Sequence, residues 1–410
     1  MARIIPNFLR KSDARIWNVA SQLSQSGVSF FAILALAHIF SSYEFGIISV
    51  VSIVVMLAMS MNRSVLGEQL LATIEVGDRI DGYWKLQRII LCVMTALVFV
   101  AVSGFVGLDG FVACWFFVSY AASDAMRYAL FTGIGGWKLR SIASVDLIRL
   151  VFAGAAALVS WTTQVGGVAL VLLILSNSPW IVYSLFFYRA RRSSIRQYLA
   201  GLGKYEALIS LQYLLATGAT QCLPIAAIAF VGPEVLGAIR LTQSVLNPLA
   251  VLALSVQPTL IALLARRTAE SAIRMTYRMF ALALMGAALV TAVAVAGRSL
   301  LVDALVPPEL SELVTAVWIP VVVSIVAVIV GQPGGALIRV LKLGGLSLTG
   351  QVLGTIAAYA SLMLVIAIAE PVQISLSIAL GSTVSVLGTY LLLFVRNSRT
   401  KGPRRVTGPD

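Results

Sequence analysis

Residues 313–331 read LVTAVWIPVVVSIVAVIVG, nineteen positions without one ionisable side chain. A helix needs ~20 mostly apolar residues to cross the hydrocarbon of a bilayer. Working outward on both sides finds eleven more runs of this kind. The twelve expected spans are about 15–39, 44–66, 86–107, 110–133, 142–161, 165–188, 206–231, 234–264, 276–298, 313–331, 345–368 and 372–395. The chain has 410 residues, 59% hydrophobic and 11% charged, whereas soluble domains carry about 25% charged residues. A soluble enzyme is excluded, and the connectors are too short to hold an extramembrane domain.

Thirty Lys and Arg against 17 Asp and Glu give +13, which in a soluble chain would suggest nucleic acid. Position argues otherwise: the basic residues cluster in short connectors, where they act as topology signals and contacts to lipid headgroups. With the amino terminus inside, the inner segments hold all of them except Arg298, Arg127 and Arg240. The outer connectors carry Glu44, Asp109, Glu234, Asp303, Glu309, Glu312 and Glu370. An even number of spans with both termini cytoplasmic explains that asymmetry. The expected order is a basic N-terminus 1–14, an N-lobe 15–188 with six spans, a cytoplasmic linker 189–204, a C-lobe 205–395 with six spans, and a basic tail 396–410. The basic start lacks a clean cleavage site and is expected to stay on the chain. Cys92, Cys114 and Cys222 lie in apolar runs without a CxxC pair, so they build neither a disulfide framework nor a zinc site.

The halves echo each other. Ser41-Ser42-Tyr43-Glu44-Phe45-Gly46-Ile47-Ile48 joins spans 1 and 2; Val231-Gly232-Pro233-Glu234-Val235-Leu236-Gly237-Ala238-Ile239 joins spans 7 and 8. Six intervening spans give both copies the same orientation, a parallel repeat about an axis along the membrane normal. Asn18, Gln22, Gln25 and Ser29 step along one face of span 1; Ser210, Tyr213, Thr217, Thr220 and Gln221 do so in span 7. Polar stripes inside a bilayer must face protein or water. The two stripes are therefore expected to meet across a cavity between two six-helix lobes.

Those two turns, the run Arg240-Leu241-Thr242-Gln243-Ser244-Val245-Leu246-Asn247-Pro248 and the twelve-span 6+6 layout resemble a polysaccharide flippase of the Wzx type. Its superfamily also contains multidrug and toxin extruders and the lipid II flippase. The resemblance implies alternating-access export of an isoprenoid-diphosphate-linked oligosaccharide from the cytoplasmic to the outer leaflet. It further implies a bacterial inner-membrane location, a role in surface polysaccharide synthesis, and a polymerase and chain-length machinery as partners.

Arg240 is the most informative side chain, because an intramembrane Arg either lines a cavity, pairs, or snorkels to the headgroups. Gln243 and Asn247 continue its face and could hold a diphosphate or sugar hydroxyls. Asp124 and Arg127, three apart in span 4, form either a buried structural pair or a working one. In the second case Arg127 adds positive potential for the substrate and Asp124 takes a proton. Asp146 and Arg149 repeat the spacing, and a salt bridge at headgroup level is expected there. The expected cavity set is thus Arg240, Arg127, Asp124, Asn18, Gln22, Gln25, Gln221, Gln243 and Asn247.

His38 is the single histidine, which excludes metal clusters and His-based triads; a structural role near the outer interface is expected. Ser41-x-x-Glu44 reads as a capping box and Pro233-Glu234 as a helix start, so neither glutamate joins the substrate set. Gln221 with Pro224, Asn247 with Pro248, and Gln332 with Pro333 put polar groups beside prolines. Each is either a bending point or a kink satisfied by neighbouring helices, and Pro333-Gly334-Gly335 is the most flexible. No GxxxxGK[ST] loop and no aspartate-rich diphosphate motif occur. No cofactor is expected; energy would come from a proton or sodium gradient, or from downstream consumption. The rival functions are a cation-coupled drug extruder, which favours acidic cavity groups, and a membrane polysaccharide polymerase. The outer connector 299–312 is short and acidic, which disfavours the polymerase.

Overall fold

The computed structural model describes residues 12–61, 107–131, 139–163, 165–182, 231–265, 267–341, 343–365 and 371–399, with isolated positions between them. Among these, all regular structure is helical. The helices are α1 (Ser12–Ile39), α2 (Ser42–Met61), α3 (Leu108–Phe131), α4 (Leu139–Thr163), α5 (Gly166–Val182), α6 (Pro233–Leu264), α7 (Ala269–Ala296), α8 (Arg298–Leu305), α9 (Pro308–Val340), α10 (Gly344–Val365) and α11 (Pro371–Arg399). Six contain stretches long and apolar enough to cross a membrane: Val19–Ile39, Arg140–Thr163, Ala269–Ala296, Pro308–Val340, Gly344–Leu364 and Val372–Val395. The chain is an all-helical, multi-pass membrane protein. Every expected span has a described helix over it except the third and seventh, which fall largely outside the described residues. The linker 189–204 and most of the basic connectors also lie outside them.

The repeated turns start helices by different chemistry. At the first, Ser41 Oγ and the Ser41 backbone N–H both donate to Glu44 Oε2, at 2.9 and 3.2 Å, and the Glu44 N–H donates back to Ser41 Oγ at 3.4 Å. That is the capping box, closed in both directions. At the second, Gly232 holds φ 84° and ψ 161°, and Pro233 opens α6. Only glycine is at ease in that backbone region. The short, acidic connector at 299–312 holds most of α8. Gly297 and Pro307 bracket one eight-residue amphipathic helix there, and Val302 is its buried residue.

The chain divides into two compact units, Ala2–Ser210 and Leu211–Asp410. In the first, α4 packs on α1 and α5, and α3 packs on α2 and α5. Gly27 permits the α1–α4 approach, since a Cβ there would overlap the Leu150 side chain. The outward face of α4 carries Leu147, Val151, Leu158 and Trp161, all exposed, as lipid contact requires. In the second unit α9 is central, against α6, α7 and α11, and α10 packs on α11. The α10–α11 seam is built from small residues. A Cβ on Gly354 would sit 2.5 Å from the Gly381 carbonyl, and one on Gly381 2.6 Å from Ala358 Cβ. Such stripes let membrane helices approach backbone to backbone, where van der Waals contact replaces the missing hydrophobic drive.

Candidate functional site

Ser21 and Gln25 lie one turn apart on α1, and they bond to α4 and α3 respectively. Ser21 Oγ donates to Asp146 Oδ2 at 2.5 Å. Asp146 and Arg149, three apart on α4, meet at 3.1 Å with both side chains wholly buried. The Trp180 indole N–H on α5 donates at 3.3 Å to Asp146 Oδ1, the oxygen that also accepts from Arg149 Nη1.

Arg149 then ties α5 to the site. Its Nη2 donates to Asn177 Oδ1 at 2.8 Å and its Nε to the Ser176 carbonyl at 3.1 Å. Pro179 sits inside α5 and offers no N–H to the Leu175 carbonyl, which accepts from the Ser178 hydroxyl at 2.8 Å instead. Asn177 in turn donates to Ser119 Oγ and the Phe116 carbonyl of α3, at 2.9 and 3.2 Å. The Arg149 guanidinium stands 5.6 Å over the Tyr120 ring. Tyr120 OH donates to the Gln25 carbonyl at 3.1 Å, and Gln25 Nε2 donates to Asp124 Oδ1 at 2.6 Å. The circuit runs through α1, α4, α5 and α3 and returns to α1.

The salt bridge expected of Asp146 and Arg149 is present, and it is wholly buried in protein. A buried cation must be neutralised and hydrogen-bonded, which Asp146, Asn177 and Ser176 accomplish.

Of the residues expected to line a cavity, the structure joins Gln25 to Asp124; Gln22 is half-buried on α1. The side chains of Asn18 and Arg127, and Gln221 entirely, lie outside the described residues. The Gln25 Oε1 atom is buried without a hydrogen-bond partner. Half a turn of the amide exchanges donor for acceptor, so Gln25 can serve Asp124 either ionised or protonated. In the other unit Arg240 is buried, at 8% exposure, on α6, and Gln243 and Asn247 on the same face are half-buried. His38 Nδ1 lies 2.9 Å from the Leu34 carbonyl of its own helix and so carries the proton, the arrangement of a structural histidine.

Sequence reasoning missed Ser21, Ser176, Asn177 and Trp180. The signal for the last three was Ser176-Asn177-Ser178-Pro179-Trp180, a polar, proline-broken patch in an otherwise apolar span.

No family model matches the chain, and no curated protein matches it. Solved structures do. A MATE transporter crystallised with MaL6 aligns over 96% of this chain and 98% of its own, with 14% identity and a TM-score of 0.59. The lipid II flippase MurJ, in an inward closed conformation, aligns over 93% of this chain and 87% of its own, with 10% identity and a TM-score of 0.65. An outward-facing MATE multidrug resistance transporter of the MOP superfamily aligns over 96% and 97%, with 15% identity and a TM-score of 0.57. The chain has the fold that these transporters share.

Proposed function

We propose that this chain is a Wzx-type flippase, which moves an isoprenoid-diphosphate-linked oligosaccharide to the outer leaflet of a bacterial inner membrane by alternating access. The observation that carries the reading is Arg240, a cation buried on α6 with Gln243 and Asn247 continuing its face. A diphosphate needs fixed positive charge along its path, and sugar hydroxyls need amides that both donate and accept. The isoprenoid tail would stay in lipid. The shared fold with MurJ, a flippase of a lipid-linked substrate, supports the same direction. Arg127 is assigned to the same path, and the gradient would be coupled through proton uptake at Asp124, whose Gln25 partner suits both of its charge states. The product would pass to a polysaccharide polymerase and its chain-length machinery.

The test is export. Arg240→Ala and Arg127→Ala, at unchanged membrane level, should each lower surface polysaccharide at least about tenfold, the loss of one charge-assisted contact of ~1.5–3 kcal/mol, with accumulation of the intermediate in the inner leaflet. Normal export by both variants would remove the cationic path. The second reading, a cation-coupled drug extruder, draws on the buried Asp124. It predicts drug resistance that Asp124→Asn abolishes and polysaccharide export that no substitution affects.

A further inference from the structure

The ladder of α9 loses one rung at Pro333, which has no N–H for the Ile329 carbonyl. The next rung is bridged by another helix. Tyr390 of α11 accepts from the Gly334 N–H at 3.0 Å and donates to the Val330 carbonyl at 2.9 Å. These are the two groups that an undisturbed α-helix pairs with each other. Only glycine leaves room for this: a Cβ at 334 would stand 3.1 Å from Tyr390 Cζ. The tyrosine ring is backed by Phe280 of α7, ring centroids 4.4 Å apart.

A second phenol lies nearby. Tyr277 is three residues before Phe280, the ring against Tyr390, on α7, and its hydroxyl is buried with no hydrogen-bond partner. This region therefore holds one hydroxyl that bridges the ladder and one satisfied by nothing. Were the Tyr390 hydroxyl to turn to Tyr277, the Gly334 N–H could close directly on the Val330 carbonyl. Every polar group would then keep a partner. Two arrangements that satisfy the same groups differently are what a bistable element requires.

We propose that Tyr390 is a latch on a hinge at residues 330–334 of α9, with the Tyr277 hydroxyl as its second seat. Residues 334–340 beyond the hinge form an arm of about 10 Å at ~1.5 Å per residue. A change in bend of about 25°, in the range of proline-type kinks, moves the arm's tip about 4 Å. Ala336, Leu337 and Ile338 on that arm pack with Leu260 and Leu264 of α6, Ala272 of α7 and Leu393 of α11, so the swing passes to three neighbouring helices. Its use in transport rests on the alternating-access reading; the latch itself does not.

The experiment is ¹⁹F NMR on the full chain in nanodiscs, with 3-fluorotyrosine placed at position 390. Two resonances are expected, one per seat. Tyr277→Phe should shift the population toward the ladder seat about threefold to tenfold, the weight of one neutral hydrogen bond. Gly334→Ala, which crowds the ladder seat, should shift it the opposite way. A single resonance that neither substitution moves, or shifts of the same sign in both, overturns the proposal. Tyr277→Phe removes only one oxygen atom and keeps the test open if the Gly334 variant does not fold. Export by the unlabelled wild type is scored separately, so failure of the flippase reading and failure of the latch are distinguishable.

Discussion

Replacing Arg149 by Met leaves the Asp146 carboxylate buried without its cation, among neutral donors such as Ser21 and Trp180. Replacing Asp146 by Leu leaves the guanidinium buried without its carboxylate, among neutral acceptors such as Asn177 and Ser176. Removing one partner of a buried pair costs ~3–5 kcal/mol, because the remaining charge is stranded without water. For a unit of this size each kcal/mol lowers the midpoint by about 2–4 °C, so each single variant should lose about 10 °C. The double variant Asp146→Leu/Arg149→Met strands no charge. It should be at least as stable as either single variant, although two independent sites would give a loss of about 20 °C. The assay is the apparent midpoint in detergent at one fixed scan rate, since unfolding of such proteins is governed by rate. Singles within about 2 °C of wild type, or a double variant at the additive value, would refute the view that the pair is a dry, closed ion pair.

Two further predictions concern backbone approach. Gly354→Val drives a side chain into the Gly381 carbonyl and Ser385, and should destabilise the α10–α11 seam by ~1–3 kcal/mol. Gly345→Ala, where a Cβ would meet nothing within 4 Å, should leave the midpoint unchanged. Gly232→Ala should cost ~1–3 kcal/mol, and Gly232→Asn should not rescue it, because φ 84° with ψ 161° lies outside the left-handed helical region that asparagine tolerates. Rescue by asparagine, read as a restored midpoint, would contradict the backbone assignment.

Helix existence was legible because twenty-residue apolar runs have few alternatives in a chain this poor in charge. The Ser41–Glu44 box was legible because it is local, made of residues three apart. The Asp146–Arg149 contact was legible for the same reason, but its complete burial was not, because helices distant in sequence cover it. The polar partners were the hardest part. Ser21 carries one small hydroxyl and sits beside the longer Gln22, so a stripe drawn through amides passes over it. Asn177 gains its meaning only from Arg149 and Ser119, distant in sequence, and a single chain states no such pairing. At Pro333 the sequence offered a flexible break or a kink satisfied by a neighbour, and the hydroxyl of Tyr390, 57 positions away, bridges the rung beside it.

Among the described residues, the two units hold their helices together by different forces. In Ala2–Ser210 four helices are cross-braced by directional bonds between 2.5 and 3.3 Å. Sliding any of them by one or two ångströms breaks several bonds at once. In Leu211–Asp410 many described hydroxyls bond within their own helix, as Thr242 does to Ala238 and Thr276 to Ala272. The α10–α11 seam there is built from glycine, alanine and serine surfaces, and α9 packs on its neighbours through Leu260, Leu264, Leu337, Ile338 and Leu393. Van der Waals contact between small residues is strong in sum but nearly flat along the helix axis, so small shear displacements lose little. A moving part is therefore better placed in the second unit. Pro333, Gly334 and the Tyr390 hydroxyl that bridges the α9 ladder are found there.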